Sequence, residues 1–259
     1  MERAQKKQIG KFMHDLHIKY LQDRNLPLSH KDFGDPRNKK NLKHRCKIID
    51  LIPNTSGKLL DIGLGSGRYL FSIAQVKNYE LYSVEHPKMN ELLSKQYFQD
   101  VLAKYKINLK RVDITKEKLP YPDNEFDVIM FNNVIEHMQP ADVFPVLKEI
   151  NRVLKKQGIL ILETPNLFSL IHRVKAVFGI DFGYDLEEEN MKNRGYPSHI
   201  KEYSANELKT LLKNTGFAPE KTIMSHMQYG KPFIDFITNL FVSFLPSTRN
   251  LVTIIAKKP

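Results

Sequence analysis

The stretch LLDIGLGSGRY, residues 59–69, decides the fold of this chain. It reads as a short apolar strand that runs into a glycine-rich turn, and the turn opens a helix. Gly63, Gly65 and Gly67 permit backbone angles and close approaches that a Cβ atom would block. The helix beyond them presents free N–H groups at its N-terminus. The stretch therefore predicts a turn that cradles a dinucleotide pyrophosphate or a ligand carboxylate.

Strand-like and helix-like segments alternate from residue 58 onward, which is typical of a parallel sheet with crossover helices. Strands are predicted at 58–62, 80–85, 108–113, 126–132, 158–164 and 251–259. Helices are predicted at 66–76, 87–105, 141–155 and 204–215. The pattern therefore predicts an α/β fold.

Two regions flank or interrupt this alternation. Apolar residues three and four positions apart predict helices over 2–24 and 39–52. We interpret residues 1–57 as an N-terminal helical cap on a domain that spans 58–259. The segment at about 166–203 is too long for a simple connection and is predicted to be an inserted lid.

Residues 233–245 carry aromatic and aliphatic side chains at helical spacing. The predicted helix is too short to span a bilayer. It has four interpretations: a lid over a pocket, a dimer face, an interfacial anchor for peripheral membrane contact, or an ordinary core helix.

The glycine spacing separates two kinds of nucleotide site. A dinucleotide fingerprint has the form G-x-G-x-x-G, whereas here the third glycine comes one residue early and Arg68 takes the later place. The segment resembles the first motif of the class I methyltransferases that depend on S-adenosyl-L-methionine (SAM), [acidic]-x-G-x-G-x-G, with Asp61 at the acidic position. The resemblance spans about residues 40–217. It implies a Rossmann-like class I methyltransferase fold, a seven-stranded mostly parallel sheet with helices on both faces, and SAM as cofactor with S-adenosyl-L-homocysteine as product.

The same resemblance gives roles to acidic residues that follow later strands. It implies that Glu85 holds the ribose hydroxyls of SAM and that Asp113, with Ile114 beside it, lies near the adenine amino group. With Asp61, these carboxylates stand at the C-terminal ends of predicted strands, where ligands bind in open α/β sheets. Each also has a structural interpretation: Asp61 as a turn cap, Glu85 as a solvated strand end and Asp113 as a turn residue.

The segment FNNVIEHM, residues 131–138, follows the fourth predicted strand. It resembles the N/S-x-x-x-E-H segment of ubiquinone-biosynthesis and glycan-cluster O-methyltransferases. The resemblance implies that Asn132 lies near the methionyl end of SAM, and it makes Glu136 and His137 candidate catalytic residues.

Glu136 and His137 admit three interpretations. They form a structural pair, or they provide acid–base or substrate contact with His137 as the general base, or they bind a divalent metal together with His199. The metal is not favoured. The small-RNA 2′-O-methyltransferases that use such a site have a glutamate where this chain has Asn133, and a neutral amide is a poorer ligand.

His199 and Tyr203 belong to the segment HIKEYS, residues 199–204. This segment resembles the G-H-x-R-x-Y-[ST] stretch of the same glycan-cluster and lipid-linked subgroup, which implies a place over the acceptor pocket. The alternative is that His199 only packs the insert onto the core.

Charge and composition narrow the choice of partner. The net charge is +11, and residues 1–58, with 14 Lys or Arg and 6 Asp or Glu, carry +8 of it. No base-stacking aromatics or recognised module accompany this basic region, which disfavours nucleic acid as a partner. The N-terminus lacks the apolar stretch of a signal peptide, and the single cysteine, Cys46, cannot form an internal disulfide. We therefore expect a cytoplasmic protein.

These observations predict a SAM-dependent methyltransferase that O-methylates a hydroxyl of a glycan, a lipid-linked precursor or a small metabolite. One alternative is an RNA 2′-O-methyltransferase, which the basic N-terminus and the metal interpretation would favour. The other is a SAM-binding regulatory protein without catalysis. The sequence does not name the acceptor or the oligomeric state.

Overall fold

A seven-stranded sheet forms the centre of the protein. The computed structural model describes residues 1–23, 39–89, 93–182, 199–227 and 232–259. The strands are β1 (Gly57–Ile62), β2 (Tyr79–Glu85), β3 (Asn108–Arg111), β4 (Phe126–Asn132), β5 (Leu154–Pro165), β6 (Ala218–Ser225) and β7 (Leu251–Lys257). Their order is β3-β2-β1-β4-β5-β7-β6. Strands β1 to β5 pair in parallel and β7 is antiparallel to both its neighbours, which confirms the predicted mostly parallel sheet.

Eight α-helices of the described residues surround the sheet or connect its strands. They are α1 (Arg3–Asp23), α2 (Lys39–Asp50), α3 (Arg68–Ile73), α4 (Gln96–Lys104), α5 (Pro140–Val153), α6 (Leu170–Val177), α7 (Ala205–Asn214) and α8 (Pro232–Phe244). A short 3-10 helix at Ile135–His137 follows β4. None of these helices has the length and apolar character that a membrane crossing requires.

Both faces of the sheet are covered by apolar side chains. Successive strand residues point to opposite faces, so Leu60 joins the cluster that includes Leu147 of α5, whereas Leu59 joins the cluster that includes Phe71 of α3 and Ile49 of α2. Complete burial of one such side chain stabilises the fold by roughly 1.5–3 kcal/mol. The two clusters therefore hold the strands in one register.

That register brings the carboxyl ends of the parallel strands to one edge. Ile62 of β1 lies beside Val84 of β2 and Phe131 of β4. Asn132 at the end of β4 lies beside Glu163 of β5. Loops and helix N-termini beyond this edge can meet around one ligand.

Two predicted helices have wrong boundaries, and one strand was not predicted. The helix predicted to end at residue 155 ends at Val153, because the buried Leu154 already pairs with Phe126 in the sheet. The continuous helix predicted over 87–105 is interrupted, because Lys95 has an extended backbone and α4 begins only at Gln96; residues 90–92 lie outside the described part. The sequence analysis placed no strand at 218–225, where β6 pairs with β7.

The insert predicted at 166–203 contains a helix that the sequence analysis did not place. Ser169 caps α6 by accepting a hydrogen bond from the His172 N–H. No side chain of α6 is buried, so the helix has no core-facing apolar stripe for a sequence pattern to reveal. Residues 183–198 lie outside the described part. The lid interpretation and the division at residue 57 stay predictions.

A buried carboxylate fastens α2 to the sheet. Glu163 of β5 is fully buried, and its carboxylate accepts hydrogen bonds from Tyr69 Oη at 2.9 Å and from Thr253 Oγ1 at 2.7 Å. The same carboxylate lies 3.0 Å from Nε2 of His44 in α2. Burial by itself raises the pKa of Glu163. The contacts with His44, Thr253 and Tyr69 outweigh burial and lower this pKa below its ordinary value.

We expect Glu163→Ala to lower the free energy of unfolding by about 3 kcal/mol, the cost of leaving buried partners of a charged group unpaired. Urea unfolding at neutral pH measures this change. The matched control is Glu220→Ala in β6, whose exposed carboxylate pairs with Lys257 at 3.0 Å and should cost less than about 1 kcal/mol. Equal losses in the two variants would contradict an anchoring role for Glu163.

Candidate functional site

A cavity of about 560 Å³ opens at the carboxyl edge of the sheet. Its size is that of a small-molecule site. Seven candidate site residues from the sequence analysis line the cavity: Asp61, Gly63, Gly65, Asn132, Glu136, His137 and His199. Four others, Gly67, Glu85, Asp113 and Ile114, do not line it. The structure thus gathers the predicted catalytic residues and half of the predicted cofactor residues around one space.

The turn after β1 forms one wall of the cavity. Gly63 has φ 84°, its N–H donates to the Val84 carbonyl at 2.9 Å, and a Cβ there would lie 2.4 Å from Cγ2 of Val134. Gly65 has φ 51°, and nothing lies within 4 Å of the place where its Cβ would project. Gly63 is therefore required by packing, while Gly65 leaves open space beside the backbone.

Two carboxylates lie behind this turn. Glu85 is buried, and its Oε2 and Oε1 accept main-chain hydrogen bonds from Gly65 and His86, both at 2.7 Å. Burial raises the pKa of Glu85, and these hydrogen bonds partly oppose the rise. Burial and then the neighbouring Glu85 raise the pKa of Asp61 to about 8. A cationic group in the cavity would favour the ionised form of Asp61.

Asn132 supplies a test of whether a polar ligand fits. It is 8% exposed and lines the cavity, yet neither its amide nitrogen nor its amide oxygen has a hydrogen-bond partner. Buried polar atoms are nearly always paired in folded proteins. The amide and the open space at Gly65 therefore fit a polar ligand that lies across the ends of β1 and β4.

Asp113 lies apart from the cavity, two residues beyond β3. It accepts hydrogen bonds from the N–H and Oγ1 of Thr115, and Lys116 Nζ lies 3.1 Å and His86 Nε2 3.4 Å from its Oδ2. Desolvation acts to raise the pKa of Asp113, but the contacts with Thr115 and Lys116 prevail and lower it to about 2. Asp113 is therefore a firmly ionised acceptor beside the turn that follows β2.

Glu136 is a buried carboxyl at the cavity wall. It is 1% exposed, its Oε2 accepts a hydrogen bond from Thr164 Oγ1 at 2.9 Å, and its Oε1 accepts none and lies 4.0 Å from Nε2 of His137. Burial raises the pKa of Glu136 to about 7, although its hydrogen bonds and the nearby His199 oppose the rise. A carboxyl that titrates near neutrality suits proton transfer.

His199 comes from a distant part of the chain to join this pair. The main-chain N–H of Ile200 donates to the Glu136 carbonyl at 2.7 Å, and the rings of His137 and His199 meet edge to face with centroids 5.1 Å apart. The hydrogen bond with Glu202 is the main cause that raises the pKa of His199 above its ordinary value. The insert therefore places a second imidazole beside Glu136.

These three groups also satisfy the distances of a cation site. One ligand atom each from Glu136, His137 and His199 lies within 4.8 Å of the others. One carboxylate and two imidazoles suit a divalent transition metal. The same atoms suit proton transfer equally well, so this geometry does not by itself choose the metal interpretation.

The sequence analysis missed several side chains that line the cavity. They are Arg45 of α2, Arg68 and Tyr69 of α3, Glu163 of β5, His172 of α6, and Glu202 and Asn250. A signal existed for Arg45: with Asn41 and His44 it puts polar residues on the buried face of α2. Burial lowers the pKa of Arg45 to about 10. Glu202 lies within the segment HIKEYS, which the sequence analysis did single out. No signal pointed to His172, because its position depends on how the insert packs.

The geometry agrees with what comparison with known proteins shows. Residues 60–162 match the family model described as a methyltransferase domain. A probable S-adenosylmethionine-dependent methyltransferase of Mycolicibacterium smegmatis is 28% identical over 185 residues, covering 70% of this chain and 57% of that protein. The ubiquinone biosynthesis O-methyltransferase of Pelagibacter ubique is 28% identical over 125 residues, covering 48% of each. The chain thus spans about half the length of these curated relatives.

Solved structures show the same fold. A SAM-dependent methyltransferase from Archaeoglobus fulgidus superposes with a TM-score of 0.54 at 19% sequence identity, over 83% of this chain and 93% of that one. The matched domain contains the turn after β1, the end of β4 and the Glu136–His137 pair. Sequence match, fold and cavity therefore coincide on these residues: they lie within the stretch that is similar to a methyltransferase domain, and the chain has the fold of solved SAM-dependent methyltransferases.

Proposed function

We propose that this protein transfers the methyl group of SAM to a hydroxyl oxygen of an acceptor bound in the same cavity. The observation that carries the proposal is the cluster of Glu136, His137 and His199 beside the unpartnered amide of Asn132. A hydroxyl oxygen must lose its proton as it is methylated, and this cluster offers groups that accept one near neutral pH.

We assign the cofactor contacts as follows. Asp61 faces a cationic part of SAM, because a neighbouring positive charge would oppose the rise in pKa that burial and Glu85 cause. The carboxylate of Glu85 keeps lone pairs beyond the two it uses for the turn, and these accept from ribose hydroxyls. Asn132 pairs with the methionyl end, and Asp113 with Ile114 lies near the adenine amino group.

The reaction is a displacement in which positioning dominates. When bound, SAM supplies an electrophilic methyl group whose C–S electron pair leaves with sulfur. An imidazole of the cluster accepts the acceptor's hydroxyl proton while the oxygen lone pair forms the new C–O bond. The imidazolium then returns its proton to solvent, and Glu136 balances the charge meanwhile.

We further propose that the acceptor carries an apolar chain. Ile171 of α6 lines the cavity, and along the same helix and beyond it Val174, Val177 and Phe178 are 48%, 80% and 73% exposed. Exposed apolar patches of this kind mark ligand or membrane surfaces. The neighbouring Lys175 adds positive charge, which supports peripheral contact with an anionic membrane that holds a lipid-linked acceptor.

We expect Gly65→Asp to abolish SAM binding, because the new side chain would project into the open space beside the turn and place a carboxylate near that of Glu85. Isothermal titration with SAM measures this. The matched control is Gly179→Asp, a glycine of similar φ (63°) with open space around its Cβ position but no part in the cavity. Retained affinity in Gly65→Asp would refute the assignment of the turn.

SAM affinity should rise as the pH increases from 5.5 to 7.5. Below its pKa of about 8, Asp61 must release a proton to pair with a cation, so the Kd should fall with pH by up to about tenfold per unit. Titrations across this range test the sign. Asp61→Asn should bind SAM more weakly and with a flatter pH dependence; an unchanged slope would assign the titrating group elsewhere, Glu136 being the next candidate.

An acceptor panel tests the function itself, with S-adenosylhomocysteine formation as the readout. We expect turnover of octyl glucoside, a lower turnover of methyl glucoside, and none of octylamine or an octyl-substituted 1,3-diketone. At about 0.8 kcal/mol per buried CH₂, the KM of the octyl compound should be at least about tenfold lower than that of the methyl compound. Turnover of the amine or the diketone alone would refute O-methylation.

The panel also separates the remaining alternatives. Val174→Ser should raise the KM for octyl glucoside but not for methyl glucoside, whereas Phe144→Ser, an exposed apolar residue of α5, should change neither. Activity on RNA that EDTA abolishes would favour the RNA 2′-O-methyltransferase. SAM binding without any product would favour a regulatory SAM-binding protein.

A further inference from the structure

Glu202 lies behind the candidate catalytic cluster and connects two histidines from different elements. It is 7% exposed, its Oε1 lies 2.9 Å from Nδ1 of His199, and its Oε2 lies 3.3 Å from Nδ1 of His172 in α6. Both histidines and Glu202 line the cavity. One carboxylate therefore holds two imidazoles at the cavity wall.

These contacts fix where the ring protons lie. Nδ1 of His199 faces a carboxylate oxygen, which only accepts, so Nδ1 carries the proton. Nδ1 of His172 faces two acceptors, the carboxylate of Glu202 and the Leu167 carbonyl at 3.1 Å, so it also carries its proton. In the neutral state each ring then keeps the lone pair on Nε2.

The main chain holds this arrangement on both sides. The N–H groups of Ile200 and Lys201 point to the Glu136 carbonyl at 2.7 and 3.3 Å. The next residue after Glu202, Tyr203, accepts a hydrogen bond from the Leu167 N–H at 3.1 Å. Because the main chain on both sides of Glu202 is hydrogen-bonded to other parts of the fold, the carboxylate of Glu202 has a defined position relative to His199.

We propose that Glu202 is a positioning residue that fixes the ring of His199, with Nδ1 protonated and Nε2 free, so that His199 is the proton acceptor of the cluster. This inference rests on the proposed function and selects one of the two histidines. The acceptor's hydroxyl proton passes to Nε2 of His199, its oxygen takes the methyl group, and the C–S electron pair stays on sulfur. His172 occupies the second oxygen of Glu202 and keeps the carboxylate from turning away.

His137 meets the other two members of the cluster in a different way from His199. Its Nε2 lies 4.0 Å from Oε1 of Glu136, beyond hydrogen-bond distance. The ring of His137 instead meets the ring of His199 edge to face. His137 therefore forms part of the wall against which His199 is held.

The test combines kinetics with a spectroscopic signature in the full-length protein. Glu202→Gln should lower kcat for octyl glucoside by about 10- to 100-fold, as loss of a histidine-orienting carboxylate does elsewhere. The KM for octyl glucoside and the Kd for SAM should each change by less than about twofold. Glu202→Asp keeps the carboxylate and should recover part of kcat. Glu220→Gln, on the exposed face of β6, is the matched control and should retain the parental kcat.

¹⁵N NMR of histidine-labelled protein, with S-adenosylhomocysteine present, measures the tautomer of His199 independently. The signal of His199 is assigned by its loss in the His199→Gln variant. We expect Nδ1–H in the parent and a mixture of tautomers in Glu202→Gln. An Nε2–H tautomer in the parent, or parental kcat in Glu202→Gln, overturns the proposal, and the parent spectrum decides even if the variant fails to fold. The expected tautomer together with parental kcat in His199→Gln would instead refute the proposed catalytic step while the positioning contact stands.

Discussion

The turn between β1 and α3 is the constraint on which the site depends. The chain must leave the sheet and start a helix within a few residues, so Gly63, Gly65 and Gly67 all adopt positive φ. The Gly63 N–H bonds to the end of β2, and the Gly65 N–H bonds to the Glu85 carboxylate. The ends of β1 and β2 are thereby joined, and the main chain itself forms one wall of the cavity.

Asp61, Glu136 and Glu163 are buried carboxylates that line the same cavity as this turn, and their neighbours give them different properties. Glu163 has three partners that favour its ionised form, and its pKa is lowered. Asp61 and Glu136 lack enough such partners, and burial raises their pKa values to about 8 and about 7. A carboxylate with complete partners stabilises the fold, whereas one with incomplete partners is available to a ligand or a proton.

Segments outside the sheet complete the site. Helix α2 brings His44 and Arg45 to the cavity side of the sheet, and the insert brings His172, His199 and Glu202. The insert is fixed by polar contacts with sheet or loop residues, whereas α2 also packs apolar side chains such as Ile49 against one face of the sheet. The side of the cavity that we propose for the acceptor therefore depends on contacts between parts of the chain that are far apart in sequence.

The sequence by itself determined six strands of the sheet, the glycine turn and the candidates Asp61, Glu85, Asp113, Asn132 and Glu136, because local apolar patterns and short motifs report strand ends directly. It did not determine α6, β6 or the end of α5. Helix α6 buries no side chain, β6 exists through its pairing with β7, and Leu154 is drawn from the helix into the sheet by Phe126. Only the tertiary structure brought His172 to Glu202 and His199 to Glu136, because contacts between segments far apart in sequence leave no periodic or motif signal in either segment.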